Sequence, residues 1–243
     1  MRKFGLIGGA LGHSFSPGYF AKKFTREGIT DARYDAFELG EIAEVEQLLQ
    51  DPELVGFNVT IPYKRAILTY LTAIDPEAEA IGAVNTVHLT PEGPVGFNTD
   101  VTGFRDSLKP VLRSHHQRAL ILGTGGASAA VWHVLRHLGL QCIYVSRSPE
   151  GPDQVHYQDL RAEALDHFKL IVNTTPVGQH PDTSARPDIP YEGLGKQHIL
   201  MDLIYNPETT AFMQAGLDQG AAVLNGLRML HGQAEAAWDI WNR

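Results

Sequence analysis

Two groups of residues in this chain have the types and spacing to do chemistry. The first is Gly123-Thr124-Gly125-Gly126-Ala127-Ser128, which follows the apolar run 119–122 and opens the amphipathic stretch 127–137. A glycine-rich turn between a strand and a helix is the setting a dinucleotide requires. Gly123 would permit the tight turn and Gly125 would let backbone approach a pyrophosphate. Gly126 and Ala127 would open a helix whose N-terminus offers unpaired N–H groups and the positive end of its dipole. Ser128 stands at the third glycine position, where a small residue should be tolerated. A unit that binds NAD would carry an Asp or Glu about 20 residues on, to hold the ribose hydroxyls. Here the second strand ends Val145-Ser146-Arg147-Ser148, with no carboxylate. Arg147 has the planar donor fork to pair with a 2′-phosphate while stacking on adenine, so the pattern favours NADP over NAD.

The second group is a set of polar residues at the ends of apolar runs in the first hundred positions. Ser14 and Ser16 flank Phe15, and residues two apart in an extended segment face the same side, so both hydroxyls could donate to one carboxylate. Ser16 followed by Pro17 also reads as the N-cap of a helix reaching about Gly28. Asn58-Val59-Thr60-Ile61-Pro62-Tyr63-Lys64 alternates polar and apolar positions and then breaks at proline, leaving Asn58, Thr60 and Lys64 near one strand end. Asn85-Thr86 and Asn98-Thr99-Asp100 bring further amides, hydroxyls and a carboxylate to neighbouring strand ends, where ligands of open α/β sheets collect. A lysine and an aspartate beside a polyol suit oxidation of a secondary alcohol, because the hydroxyl proton must reach a base as hydride leaves carbon. Lys64 is the better proton carrier, and Asp100 is suited to orient it and to accept a hydrogen bond from the substrate.

The elements that must position these groups alternate short apolar runs with amphipathic stretches, an α/β pattern. Strands are expected at 4–7, 34–37, 56–59, 119–122, 142–145, 171–173, 199–203 and 222–224. A hairpin is expected over 83–89 and 95–98, and helices near 42–50, 63–70, 103–112, 127–137 and 227–241, with a polar one from Pro76. The 243 residues accommodate one large or two small domains. The polar stretch 113–118 marks the crossing: a substrate-binding and catalytic domain over 1–101, completed by 225–243, and a Rossmann-like dinucleotide-binding domain over 102–224. Hydrophobic residues at 43% and charged residues at 20% describe an ordinary soluble protein rather than a disordered or membrane-spanning one. The net charge of −8 disfavours nucleic acid. The lone Cys142 and the absence of a signal-peptide pattern point to a reducing cytoplasm. The 11 histidines show no paired metal-ligand spacing, and no metal is expected. Trp132, Trp238 and Trp241 read as packing residues.

These residues carry a resemblance over essentially the whole length. The segments Gly12-His13-Ser14-Phe15-Ser16-Pro17, Asn58 to Lys64, Gly82-Ala83-Val84-Asn85-Thr86, Asn98-Thr99-Asp100, Gly123 to Ser128, Asn173-Thr174-Thr175-Pro176-Val177-Gly178, Asp202-Leu203-Ile204-Tyr205-Asn206-Pro207 and Gly226-Leu227-Arg228-Met229-Leu230 with Gln233 occur in the order found in shikimate dehydrogenases, which this chain resembles. The resemblance implies reversible NADPH-dependent reduction of 3-dehydroshikimate to shikimate, on the way to chorismate and the aromatic amino acids. It also implies that the C-terminal helix returns to the first domain and that a two-domain cleft closes on its ligands. By carry-over, Ser14 and Ser16 would hold the substrate carboxylate, with Tyr205 near it. Thr60, Asn85, Asp100 and Gln233 would bind ring hydroxyls, and Lys64 would be the catalytic acid/base. The glycine-rich turn and Arg147 would bind NADP, with Thr174, Leu203, Gly226 and Met229 lining the nicotinamide side.

The chain departs from the family pattern at Gly8-Gly9-Ala10-Leu11 and at Gly18-Tyr19-Phe20. It also departs at Ser146-Arg147-Ser148-Pro149-Glu150-Gly151, where members often have Asn-Arg-Thr and a second basic residue, so discrimination against NAD should be reduced. Ser16 rather than Thr fits shikimate over quinate. A paralogue acting on quinate or another cyclic hydroxy acid, and a non-catalytic NADP-binding regulator, are the competing readings; the latter would require loss of the Lys64 and Asp100 pair. A monomer and a homodimer are both compatible with the sequence.

Overall fold

The computed structural model describes residues 1–12 and 14–243, so His13 of the first resemblance segment lies outside the described residues. The chain divides into two compact units, one of residues 1–99 with 234–243 and one of residues 100–233.

The first unit holds a six-stranded sheet in the order β2-β1-β3-β5-β6-β4. Its strands are β1 (Arg2–Gly8), β2 (Ala32–Glu38), β3 (Leu54–Val59), β4 (Ala73–Ile74), β5 (Thr86–Thr90) and β6 (Gly93–Phe97), with helices α1 (Phe15–Glu27), α2 (Val45–Leu48) and α3 (Pro76–Ile81). β1 runs parallel to both β2 and β3, whereas β5 is antiparallel to β3 and to β6. One apolar cluster gathers Phe4, Phe20, Phe24, Ala237, Ile240 and Trp241, and another gathers Ile7, Val45, Phe57, Ile67, Val84 and Val87. Each fully buried side chain of this size contributes about 1.5–3 kcal/mol. The Trp241 indole donates from Nε1 to the Val87 carbonyl at 2.9 Å, which ties the C-terminus to β5.

The second unit holds a fully parallel sheet in the order β12-β11-β10-β7-β8-β9. Its strands are β7 (Arg118–Leu122), β8 (Gln141–Ser146), β9 (Gln154–His156), β10 (Leu170–Asn173), β11 (Ile199–Asp202) and β12 (Ala222–Leu224), with helices α4 (Asp100–Leu108), α5 (Gly126–His137) and α6 (Ala211–Asp218). Numbered from β7, this is the doubly wound order 3-2-1-4-5-6 read from the opposite edge, with its switch point between β7 and β10. The central strands β7, β10 and β11 are largely apolar on both faces, as helix-covered parallel strands must be. Leu120, Ile121, Leu122, Leu170, Ile171, Val172, Leu200 and Met201 are all buried. The boundary between the units falls within the last helix, α7 (Leu227–Trp241).

Several local expectations change. Helix α1 starts at Phe15 with Ser14, not Ser16, as its N-cap. The expected helix 42–50 is a 3₁₀ turn, Ile42–Glu44, followed by the single turn of α2. The Glu41 and Glu44 side chains there satisfy each other's backbone N–H groups in a capping box. The expected helix 63–70 shrinks to a 3₁₀ segment, Ala66–Tyr70. Helix α4 begins at Asp100 and stops at Leu108, because Pro110 disfavours a helical residue before it. Helix α6, capped by the Thr210 hydroxyl accepting from Met213 N–H at 3.2 Å, and strands β4 and β9 have no counterpart among the expected elements.

Candidate active site

In the first unit, the C-terminal ends of β1, β3 and β6 and the start of the antiparallel β5 lie along one edge of the sheet. Asn85-Thr86 is therefore at the amino end of its strand, yet antiparallel pairing brings it beside the carboxyl ends of its neighbours. Thr60 N–H donates to Ile7 O at 2.9 Å and Tyr63 N–H to Thr60 O at 2.9 Å, so the chain turns sharply past β3. The Tyr63 hydroxyl donates to Leu39 O at 2.7 Å, and Val84 N–H donates to Lys64 O at 2.8 Å. The main chain of Lys64 is thus held on both sides, with its side chain half-buried.

Behind this edge runs a chain of neutral side chains. The Tyr34 hydroxyl donates to Asn58 Oδ1 at 2.8 Å, and Asn58 Nδ2 donates to Thr86 Oγ1 at 3.0 Å and to Asn85 O at 3.2 Å. Thr86 Oγ1 donates to Asn85 Oδ1 at 3.1 Å, and the same oxygen accepts Thr99 N–H at 2.7 Å. Asn98 Nδ2 donates to Ala83 O at 2.8 Å. Because its carbonyl oxygen receives Thr99 N–H, Asn85 is set in one amide orientation, with Nδ2 on the other side.

Ser14 and Ser16 are not two neighbours on an extended strand. Ser14 has extended backbone and its hydroxyl makes no capping bond, whereas Ser16 lies in the first turn of α1. Ser16 is buried and hydrogen-bonds the Tyr34 phenol, which burial pushes well above its ordinary pKa. The sequence alone gives Tyr34 no role, since nothing local shows that β2 sets it between α1 and β3.

In the second unit, the glycine-rich turn sits at the switch point. Gly123 has φ +100°, a conformation that favours glycine, and a Cβ there would meet Thr175 Cγ2 at 2.9 Å. A Cβ at Gly125 would meet nothing within 4 Å, so the backbone before the N-terminus of α5 is open. Ser128 is buried and donates from Oγ to Gly125 O at 2.6 Å, so the residue in place of a third glycine braces the turn. Thr174 donates from Oγ1 to Leu122 O at 2.6 Å, which sets it against the start of the turn. Arg147, just past β8, is exposed.

Beyond β10 and β11, one carboxylate organises two loops. Asp202 is fully buried; its Oδ1 accepts Asn173 Nδ2 at 3.0 Å and Ile204 N–H at 3.0 Å, and its Oδ2 accepts the Thr210 hydroxyl at 2.6 Å. Asn173 Oδ1 in turn accepts Thr175 N–H at 3.0 Å. Burial pushes the Asp202 carboxyl up to about 6 against the pull of these donors. The sequence alone assigns a role to neither Asp202 nor Asn173. Leu203 and Gly226 meet directly, since a Cβ on Gly226 would strike the Leu203 carbonyl, and Gly226 N–H donates to Ile204 O at 2.9 Å. Burial raises the Tyr205 phenol above its ordinary pKa.

Asp100 opens α4 and is buried; its charge is favourable at a helix N-terminus. Gln233 lies on α7, which crosses α4 so closely that a Cβ on Gly103 would strike the Met229 carbonyl and one on Gly232 would meet the Gly103 Cα at 3.1 Å. Of the residues selected from sequence, Ser14, Ser16, Thr60, Lys64 and Asn85 belong to the first unit. Asp100, Tyr205, Gln233 and every residue assigned to the cofactor belong to the second. Among the described residues no cluster of three or more His, Cys, Asp or Glu side chains could hold a metal ion, and no helix is long and apolar enough to cross a membrane.

Comparison with known proteins bears on both units. The family described as the shikimate dehydrogenase substrate binding domain matches residues 6–87. The shikimate dehydrogenase (NADP(+)) of Shouchella clausii is 38% identical, over 99% of this chain and 92% of that protein. The crystal structure of shikimate dehydrogenase 1 from Peptoclostridium difficile has a TM-score of 0.84 at 37% identity, covering 100% of this chain and 92% of that one. The shikimate 5-dehydrogenase of Thermus thermophilus, solved in complex with NADP(H) and shikimate, has a TM-score of 0.87 at 33% identity, covering 99% of this chain and 93% of that one. Identity at this level, sustained through both the substrate-side and the nucleotide-side segments, means that this chain belongs to the shikimate dehydrogenase family of oxidoreductases.

Proposed function

We propose that this chain catalyses the reversible NADPH-dependent reduction of 3-dehydroshikimate to shikimate, a step towards chorismate and the aromatic amino acids. The observation that carries the reading is the placement of Lys64 at the polar strand end of the first sheet, in a chain 38% identical to a shikimate dehydrogenase (NADP(+)) over nearly its full length. The residues present fit NADP. Open backbone at Gly125, the positive-φ turn at Gly123 and the N-terminus of α5 suit a pyrophosphate, and exposed Arg147 suits a 2′-phosphate.

Gly123, Gly125, Gly126 and Ala127 would hold the pyrophosphate and Arg147 the 2′-phosphate, with Thr174, Leu203, Gly226 and Met229 beside the nicotinamide. When bound, the reduced nicotinamide supplies the hydride that converts the ketone carbon to a secondary alcohol carbon. The protein's own contribution is the proton. Lys64 Nζ donates it to the carbonyl oxygen as that oxygen gains negative charge, and takes it back in the reverse direction. Asp100 accepts a hydrogen bond from a ring hydroxyl and orients the ammonium. Thr60, Asn85 and Gln233 fix the remaining ring hydroxyls, with Asn85 offering Nδ2 because its oxygen is committed to Thr99. Ser14 donates to the substrate carboxylate, Tyr205 lies near it, and Ser16 joins by turning from Tyr34.

The test is an absorbance assay of nicotinamide reduction with shikimate and with quinate, each tried with NADP and with NAD. The expected result is fastest turnover with shikimate and NADP. Absence of reduction in every combination overturns the enzymatic reading, and faster turnover with quinate reassigns the substrate.

A further inference from the structure

The family resemblance leaves this chain with one cation where two are common, because Ser148-Pro149-Glu150-Gly151 follows Arg147 without a second basic residue. The fold supplies a substitute from the next strand. β8 and β9 pair in parallel with Ser146 opposite His156, and residues directly paired across parallel strands present their side chains on the same face of the sheet. His156 is therefore beside the strand end that carries Arg147, at the edge of the sheet. The adjoining Tyr157 marks the same proximity: burial pushes its phenol up to about 12, and the Arg147 cation acts in the opposite direction.

The imidazole is also oriented. His156 Nδ1 accepts Gln158 N–H at 3.1 Å, and a backbone N–H can only donate, so the proton of the neutral ring resides on Nε2. A fixed ring with a defined donor, half-buried, is a better anion contact than a free surface lysine, because less side-chain freedom is lost on binding. The loop between the strands folds back on itself through Glu150 N–H donating to Gln154 Oε1 at 3.2 Å, which helps hold β9 in register.

We propose that His156 is the second 2′-phosphate contact of this chain, a specificity-determining residue that donates from Nε2 and favours NADP over NAD. This rests on the assignment of Arg147 to the 2′-phosphate, and the two are separable by experiment. Dissociation constants for NADP⁺ and NAD⁺ are measured by calorimetry, without substrate, for wild type and for His156→Asn, His156→Arg and Arg147→Ala. Asparagine keeps an acceptor for Gln158 N–H and is a good cap, so His156→Asn removes Nε2 with little disturbance of the turn.

His156→Asn should weaken NADP⁺ about fivefold to tenfold and leave NAD⁺ unchanged, the size of one charge-assisted hydrogen bond at a partly exposed site. His156→Arg should restore NADP⁺ affinity. Equal weakening of both cofactors, or no change in either, overturns the role of His156. If wild type does not prefer NADP⁺ and Arg147→Ala is also silent, it is the assignment of the 2′-phosphate to this strand end that fails.

Discussion

The two sheets place polar groups at their strand ends in different ways. At the strand ends of the first unit a run of buried polar groups is neutral and continuous, from Ser16 through Tyr34, Asn58 and Thr86 to Asn85 and Thr99. Beyond β10 and β11 of the second unit the donors of Asn173, Ile204 and Thr210 are gathered on one charge, the Asp202 carboxylate. A neutral network tolerates burial because each amide or hydroxyl can both donate and accept, so every partner is satisfied without the cost of desolvating an ion. A buried carboxylate accepts several bonds at once and so fixes two loops from a single point, but it carries a desolvation penalty of several kcal/mol. The first arrangement leaves a variety of donors and acceptors along its edge, and the second holds two loops rigid.

The largest effect should come from the first region. Lys64→Ala should lower kcat by about 10²–10⁴ while leaving the dissociation constant for NADP⁺ within about twofold, measured by steady-state kinetics and calorimetry. A matching loss of NADP⁺ affinity would erase the division of labour. Next is Asp202→Ala, which strips the partner from three donors and should cost about 3 kcal/mol or more in urea unfolding. A cost under about 1 kcal/mol would mean that the charge is not the organising point.

The same residue gives a pH signature that the neutral network lacks. The folded carboxyl at about 6 lies above the unfolded value of about 3.9, so the folded state holds this proton more tightly. The desolvation penalty is complete above pH 6 and is relieved as pH falls towards 4, by up to about 3 kcal/mol. Subtracting the urea midpoints of Asp202→Asn from those of wild type between pH 4 and 8 isolates this contribution from carboxylates such as Glu27, Asp31 and Asp51, whose salt-bridged pKa values are lowered and which act in the opposite sense. A flat difference would refute it. The smallest effect is Thr86→Val, which removes the hydroxyl shared by Asn58 and Asn85 at nearly constant shape and should cost about 1–2 kcal/mol with no pH dependence over that range.

Much of the architecture is legible in the sequence because it is written locally. Strands such as Leu120–Leu122 are buried on both faces and stand out as continuous apolar runs. The glycine-rich turn is readable from its position between a strand and a helix. What escapes depends on partners distant in sequence. β9 is only three residues, Gln-Val-His, that become a strand because β8 offers them an edge, and β4 is two residues beside β6. Helix α6, Ala-Phe-Met-Gln-Ala-Gly-Leu-Asp, is too uniformly apolar to show a helical period over its short length. The strand periodicity expected to pair Ser14 with Ser16 does not reach them both, because the helix begins at Phe15. Lys64, Thr60 and Asn58 group at one strand end as their spacing suggests, but the tie from Ser16 through Tyr34 requires the register of β2 against β1 and of β1 against β3.

The crossing of α4 and α7 bears on how this enzyme could be altered. Gly103 and Gly232 let the two backbones touch, and no side chain fits between them. Asp100, one turn before Gly103, and Gln233, immediately after Gly232, are therefore joined mechanically: a shift of either helix carries both side chains together, like two teeth on one key. A change that re-aims Asp100 by moving its helix therefore re-aims Gln233 as well, whereas Ser14 and Thr60 belong to the other unit, before α1 and just past β3.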